Sequence, residues 1–222
     1  MDQTKLGENF IHKILGIGIG LAFIVPIIGM EYLLLFVNGH NPSIQFYISG
    51  FSLTDSLVKN ASILFFALCI LFNVINVVME EGVFRGLFIK IAKEKYSFGK
   101  ANLIAAIFFG LWHFIMPFRS YLEGDMNAIT VIIMIFVYAI LSGMMSIKWG
   151  WFLNMTGVLW VGIGEHFLNN TLSNMIHIET STGVDEYQPI RIIVAQLISF
   201  IVIMVVYKKW KKRVDNKNDG IS

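Results

Sequence analysis

Met79-Glu80-Glu81-Gly82-Val83-Phe84-Arg85-Gly86 decides the reading of this chain: two adjacent carboxylates and an arginine close a run, Ala61 to Val78, that carries no charge. A charge in hydrocarbon costs about 3 kcal/mol or more, so a membrane segment that keeps three needs partners or a task for them. On a helix, Glu81 and Arg85 stand four apart with the acid first, the order that favours pairing. Glu80 is rotated about 100° from Glu81, so the same arginine does not readily neutralise it. Asn76, one turn earlier, is placed to orient the Glu80 carboxylate. One acid has a structural partner and the other is left for chemistry.

The composition around this stretch is that of an integral membrane protein. Of 222 residues, 56% are hydrophobic and 14% charged, with a mean hydropathy of +0.68; soluble domains are nearer half apolar and a quarter charged. The net charge of +2 says little about partners. Cys69 is the single cysteine, which excludes an internal disulfide or a cysteine metal cluster and reads as a small core residue. The apolar run Ile14–Val37 exceeds a signal-peptide core and lacks a small-residue cleavage site after it, so it reads as a retained span. Nothing resembles a repeat, a low-complexity tract or a nucleic-acid motif. The expectation is one membrane domain, residues 1–222, with no nucleic-acid partner.

About 20 apolar residues cross a bilayer as a helix. That rule gives an all-α polytopic bundle of about six spans: Ile14–Val37, Ala61–Met79 with a helical extension to about Lys93, Ala101–Pro117, Ala128–Ile147, Trp151–Asn170 and Ile190–Tyr207. The fifth is the most broken, with Gly157, Gly162, Gly164 and Glu165 in it. The link Asn38–Asn60 has room for a short interfacial segment with Phe46, Tyr47 and Phe51. Orientation follows from lysine and arginine. With both termini in the cytoplasm, thirteen basic residues lie inside: Lys5, Lys13, Lys90, Lys93, Lys95, Lys100, Lys148, and Lys208, Lys209, Lys211, Lys212, Arg213 and Lys217 at the C-terminus. Only Lys59, Arg119 and Arg191 lie outside. This places the chain in the cell membrane with an even number of crossings. The terminal cluster with Trp210 reads as an interfacial anchor that anionic lipid favours.

The other ionisable groups at membrane depth are His113, Glu165 and His166. At the helical rise, Glu80 is roughly 20 Å in from Lys93, His113 roughly 20 Å in from Lys100, and His166 roughly 27 Å in from Lys148. Three separate helices thus bring an acid or an imidazole to one level. Phe109 stands one turn below His113 on the same face, and His166 and Asn170 share a face of their own helix. Glu165 is open between a structural partner and a substrate-facing group. His12, His40 and His177 fall in or near loops and take no role, and the eleven methionines read as flexible packing.

At these residues the chain resembles the family of CAAX prenyl endopeptidases and bacteriocin-processing or immunity proteins, the CPBP or Abi group. Its motifs EExxxR, FxxxH and HxxxN occur here in order as Glu80-Glu81-Gly-Val-Phe-Arg85, Phe109-Gly-Leu-Trp-His113 and His166-Phe-Leu-Asn-Asn170. Phe84 and Gly86 extend the match, which covers roughly Asn73 to Asn174. The resemblance implies a CAAX-protease-like intramembrane fold, a catalytic core of about 73–174 and a site opening toward the cytoplasm. It also implies roles: Glu80 and His113 activate a water, His166 and Asn170 stabilise the oxyanion, and Glu81, Arg85 and Phe109 support them. No cofactor is required by this reading. The alternative is Zn2+ held by Glu80, His113 and His166, a two-histidine, one-carboxylate set, although the H-E-x-x-H spacing of helical zinc proteases is absent.

The expected function is therefore an intramembrane endopeptidase acting on a small or membrane-tethered peptide. Two rivals stand beside it. One keeps the fold without the reaction, as a bacteriocin self-immunity or membrane scaffold protein. The other is a proton- or metal-coupled transporter, since intramembrane Glu and His also relay protons; it predicts inverted repeats of broken spans, which the sequence lacks.

Overall fold

The computed structural model describes residues 3–48, 59–124 and 126–219. Phe51 of the expected interfacial segment lies outside them. The chain folds as α1 (Gln3–Val37), β1 (Ser43–Phe46), α2 (Ile63–Glu80), a π-helical segment (Glu81–Phe88), α3 (Ile89–Ala92), α4 (Phe98–Trp112), α5 (Ile115–Leu122), α6 (Ala128–Thr156), α7 (Trp160–Met175), β2 (Ile176–Glu179) and α8 (Gln188–Asp219). The bundle is all-α apart from β1 and β2, a two-stranded antiparallel sheet pairing Ser43 with Glu179 and Phe46 with Ile176.

Among the described residues five stretches are long and apolar enough to cross a membrane: Phe10–Val37, Ile63–Ala92, Phe98–Leu122, Ala128–Thr156 and Gln188–Lys217. The sixth traverse, α7, has 16 residues and is about 24 Å long. Its boundary differs from the expected Trp151–Asn170. The sequence around Lys148 reads as a loop between two spans, yet α6 runs through it to Thr156. It ends where Gly157 adopts φ +73°, a left-handed conformation that costs glycine least. The helix persists because Lys148 is fully buried and paired, not at an interface. Lys148 therefore leaves the count of cytoplasmic loop charges. Arg191, counted outside, is also buried; Glu31 and Asp185 flank it at 2.8 and 2.5 Å.

Close backbone contacts set the directions of the helices. α1 and α7 run parallel: Gly164 packs on the Lys13 carbonyl and Gly20 on Leu168. Small residues allow such approach where lipid supplies no hydrophobic drive between helices. α4 and α6 run antiparallel, with Gly110 against the Ala139 carbonyl and Gly143 against that of Ala106. α8 runs opposite to α1, since Arg191 near its start reaches Glu31 late in α1. Near its other end Tyr207 accepts from Asn154 at 3.0 Å and stacks on Trp151, both late in α6. Six alternating traverses follow, and the start of α1 and the end of α8 share one end of the bundle. The turn with Lys93, Lys95 and Lys100 lies there too, so this is the basic end.

The opposite end is closed by the β1–β2 ribbon, which was not legible in advance because each strand is only four residues long. Tyr47 stacks on His177 with centroids 3.9 Å apart, and Lys59 pairs with Glu179 at 2.6 Å. Asp185 accepts from the Ile178 N–H at 3.1 Å and pairs with Arg191. Burial alone would raise the Asp185 carboxyl, but His177, Arg191 and the Ile178 N–H outweigh it and hold the group below its ordinary value.

Two outcomes follow. A methyl group at Gly164 would stand 2.6 Å from the Lys13 carbonyl, whereas Gly18 has open space. Gly164→Ala is expected to cost about 1–3 kcal/mol as overpacking and to lower the thermal midpoint in detergent, while Gly18→Ala does not. For Asp185, a depressed folded pKa means full stabilisation above the unfolded carboxyl value near pH 4, lost as pH falls through the folded value. Hydrogen exchange at the Ile178 amide, corrected for intrinsic rates, should accelerate over that acid window, and Asp185→Asn should abolish the acceleration.

Candidate active site

The decisive local feature is the change of winding at Glu81. The segment Glu81–Phe88 is π-helical, and the Ile89 N–H closes it by donating to the Phe84 carbonyl five residues back. Such single-turn insertions are rare and cluster at functional sites. Glu80 ends the α-helix and Glu81 begins the wider turn, and both adjacent carboxylates reach the same partner. His166 Nδ1 donates to Glu81 Oε1 at 2.9 Å, and His166 Nε2 stands 3.5 Å from Glu80 Oε2. Arg85 pairs with Glu81, while the group beside Glu80 comes from another helix, the His166 imidazole of α7. All three side chains are nearly inaccessible, at 5% for Glu80, 1% for Glu81 and 3% for His166.

Glu81 also faces Arg85, whose Nε lies 3.4 Å from its Oε2. Among the described residues no acceptor makes a hydrogen bond to the guanidinium; aromatic faces hold it. Its Cζ is 4.1 Å from the Phe109 ring centroid and 4.8 Å from that of Trp149, within cation–π range. Trp149 stacks on His166 with centroids 3.9 Å apart and planes 16° from parallel. Phe84, Phe109, Met145, Trp149 and Val161 form a packed core on the basic-end side of these groups.

His113 is the first residue beyond α4. Its Nδ1 is 2.8 Å from the Phe109 carbonyl oxygen, which only accepts, so Nδ1 carries the proton and the neutral ring keeps its Nε2 lone pair. By the same logic the His166 Nδ1–H donates to the Glu81 carboxylate. The two imidazoles are thus oriented by different acceptors, one a backbone carbonyl and one a buried carboxylate.

A cavity of about 170 Å³ joins Asn76, Glu80, Phe109, His113, Tyr138, Leu141, Ser142, Met145, Trp149, His166, Asn169 and Asn170. Glu80, His113, His166 and Asn170, predicted from three helices, all line it. Tyr138, Ser142, Trp149 and Asn169 were not anticipated; for the first three, only the rarity of polar groups in the run Ala128–Trp149 could have signalled them, and Asn169 adjoins Asn170 in sequence. Glu165 does not line it. That acid is buried with Lys148 at 2.8 Å, which resolves its ambiguity toward a structural partner.

The cavity has a direction. Trp149 and Phe109 on its basic-end side are 1% exposed, whereas His113, Tyr138 and Asn170 are half-buried and Asn76 is exposed. α2 contributes one buried stripe, Cys69, Asn73, Val77 and Glu80, and leaves Val74, Ile75, Val78 and Met79 each more than 40% exposed. The mouth therefore widens toward the ribbon end, opposite to the lysines. This departs from the opening expected by resemblance for cytoplasmic termini. For Zn2+, Glu80, His113 and His166 share the cavity, but among the described residues no three His, Cys, Asp or Glu side chains converge into a metal-holding group. As placed, this set does not fit the ion.

The fold is a multi-pass membrane bundle whose buried acids and imidazoles converge on one cavity. The family described as Type II CAAX prenyl endopeptidase Rce1-like matches residues 62–172, half of the chain, and the protein belongs to it. The match spans the acids, both motif histidines and Asn170. No curated protein and no solved structure matches the chain.

Removing Glu81 alone as Glu81→Leu would strand the Arg85 charge, at an expected cost of about 3–5 kcal/mol. Replacing both partners, as Glu81→Leu with Arg85→Met, should recover most of that loss. Thermal unfolding of the two variants in detergent checks the order.

Proposed function

We propose that the protein is a glutamate-type intramembrane endopeptidase that hydrolyses a peptide bond of a small or membrane-tethered peptide. One observation carries the reading: Glu80, His113, His166 and Asn170 line a single cavity. The catalytic core is about 73–174. Glu80 takes a proton from water as the water oxygen attacks the scissile carbonyl carbon, with the His113 Nε2 lone pair orienting that water. The carbonyl π electrons move to oxygen, and the oxyanion accepts from the Asn170 amide and from His166 Nε2–H. His166 donates in this way only as an imidazolium, since Glu81 holds its Nδ1 proton; the two carboxylates then balance Arg85 and His166. Collapse of the tetrahedral intermediate breaks the C–N bond, and the departing amine takes the proton from Glu80.

The upper wall supports a peptide substrate. Asn76, Asn169 and Asn170 carry amides and Tyr138 and Ser142 hydroxyls, which offer hydrogen bonds to a backbone unwound for cleavage. In hydrocarbon each unsatisfied backbone group costs several kcal/mol. The lysine count favours cytoplasmic termini even without Lys148 and Arg191. In that orientation the mouth faces the outer half of the membrane, and substrate arrives from there or laterally past α2.

The test is cleavage of candidate membrane-tethered peptides by purified protein in detergent. Glu80→Gln and His113→Ala should each lower kcat about 100-fold or more, and Asn170→Ala by about 100-fold. Chelator treatment should leave the wild-type rate unchanged. Normal rates in folded Glu80→Gln and His113→Ala would remove the water-activating pair; loss on chelation with recovery on Zn2+ would overturn the metal-free reading.

A further inference from the structure

Lys148 is a buried charge with a full set of partners, and neither the family's motifs nor the proposed reaction uses it. Its ammonium is fully buried and donates to Glu165 Oε1 at 2.8 Å, Gln196 Oε1 at 2.8 Å and Ser199 Oγ at 3.0 Å. Those three acceptors, from α7 and α8, match the three protons of an ammonium. Glu165 then uses its second oxygen, Oε2, to accept the indole Nε1–H of Trp149. The Trp149 ring lies flat on the His166 imidazole, 3.9 Å away. The chain of contact is continuous: ammonium, carboxylate, indole, imidazole.

We propose that Lys148 and Glu165 are positioning residues that clamp the Trp149 indole against His166 and so fix the plane in which His166 Nε2 faces the cavity. Glu81 meets the imidazole at Nδ1 and Glu80 stands 3.5 Å from Nε2, so both carboxylates hold the ring by its edge. The indole adds the contact on its face. The indole can be such a plate only if its own tilt is fixed, and Trp has a single polar handle, Nε1–H. Glu165 grips that handle, and Lys148 holds Glu165 in place. Gln196 extends the device, since its Nε2 donates to Asn169 Oδ1 at 2.7 Å and Asn169 lines the same cavity. A pair serving only to hold α6, α7 and α8 together would not require one carboxylate oxygen to meet the ring that covers His166.

This rests on the endopeptidase reading only for its kinetic arm. Lys148→Met with Glu165→Gln removes both charges together but leaves an amide oxygen to accept Nε1–H. Lys148→Met with Glu165→Leu removes the charges and the acceptor. A purely structural ion pair treats these two double variants alike. The clamp predicts that the Gln version keeps kcat within about twofold, whereas the Leu version loses on the order of tenfold or more in kcat with KM little changed, the mark of a misplaced catalytic group. Trp149→Phe, which leaves Lys148 and Glu165 intact and keeps an aromatic face, should lose kcat as the Leu version does; it carries the comparison if that version does not fold.

The arm independent of activity is the indole N–H resonance of Trp149 in protein labelled with 15N-tryptophan, assigned by its absence from Trp149→Phe. It should lie downfield of the other four indoles in the wild type and remain hydrogen-bonded in the Gln version. In the Leu version it should move upfield. Equal kcat in the Gln and Leu versions, a Trp149→Phe variant as fast as wild type, or an unshifted indole proton in the wild type would each overturn the clamp. If no peptide is cleaved at all, the endopeptidase reading fails, and the resonance still decides the clamp.

Discussion

The fold depends on one imidazole held from both sides. His166 lies between two carboxylates that are adjacent in sequence, one near each ring nitrogen, and all three are deeply buried. Helical winding sends adjacent side chains about 100° apart, and both glutamates keep right-handed helical backbone angles, so the two acids meet the imidazole from different sides. Glu81 meets Arg85 from the same position. The winding widens only from this point on, over Glu81–Phe88.

Burying so much charge is tolerable only if each group finds a partner, and the partners come from distant helices. Arg85 rests on rings from α4 and α6. Lys148 of α6 ties to α7 and α8, and Arg191 of α8 to Glu31 of α1. In lipid the hydrophobic effect does not select which helix packs on which. An unpaired buried charge costs several kcal/mol, so these pairs discriminate against wrong arrangements more than they add net stability. The interlocked glycines of α1 and α7 do the remaining selection through shape.

The parts legible in the sequence were those where chemistry contradicts its surroundings. Glu80, Glu81, His113 and His166 stand out because ionisable groups in apolar runs need a reason, and their spacing placed them at one level. Lys148 was misread by the same rule: a lysine beside glycine and two tryptophans looks interfacial. What keeps it buried is Glu165, Gln196 and Ser199, which lie 17, 48 and 51 residues away; local pattern carries no trace of them. The π turn escaped because it changes which carbonyl each N–H meets without changing the apolar period. The ribbon escaped because two strands of four residues pair only once parallel α1 and α7 bring their ends together.

The proposed base sits at the end of a helix that is mostly exposed. α2 is fastened by a stripe of four side chains, and the last of them is Glu80. Much of its remaining surface is exposed, while Trp149, His166 and Arg85 are buried. This asymmetry suits a site that admits a peptide from within a bilayer. The groups that stabilise developing charge must not move, because preorganisation is the source of their effect. The wall that yields to substrate must be elsewhere. On the proposed reading that wall is the exposed part of α2 beside the cavity, and Glu80, the last residue of its buried stripe, is where the wall meets the fixed groups.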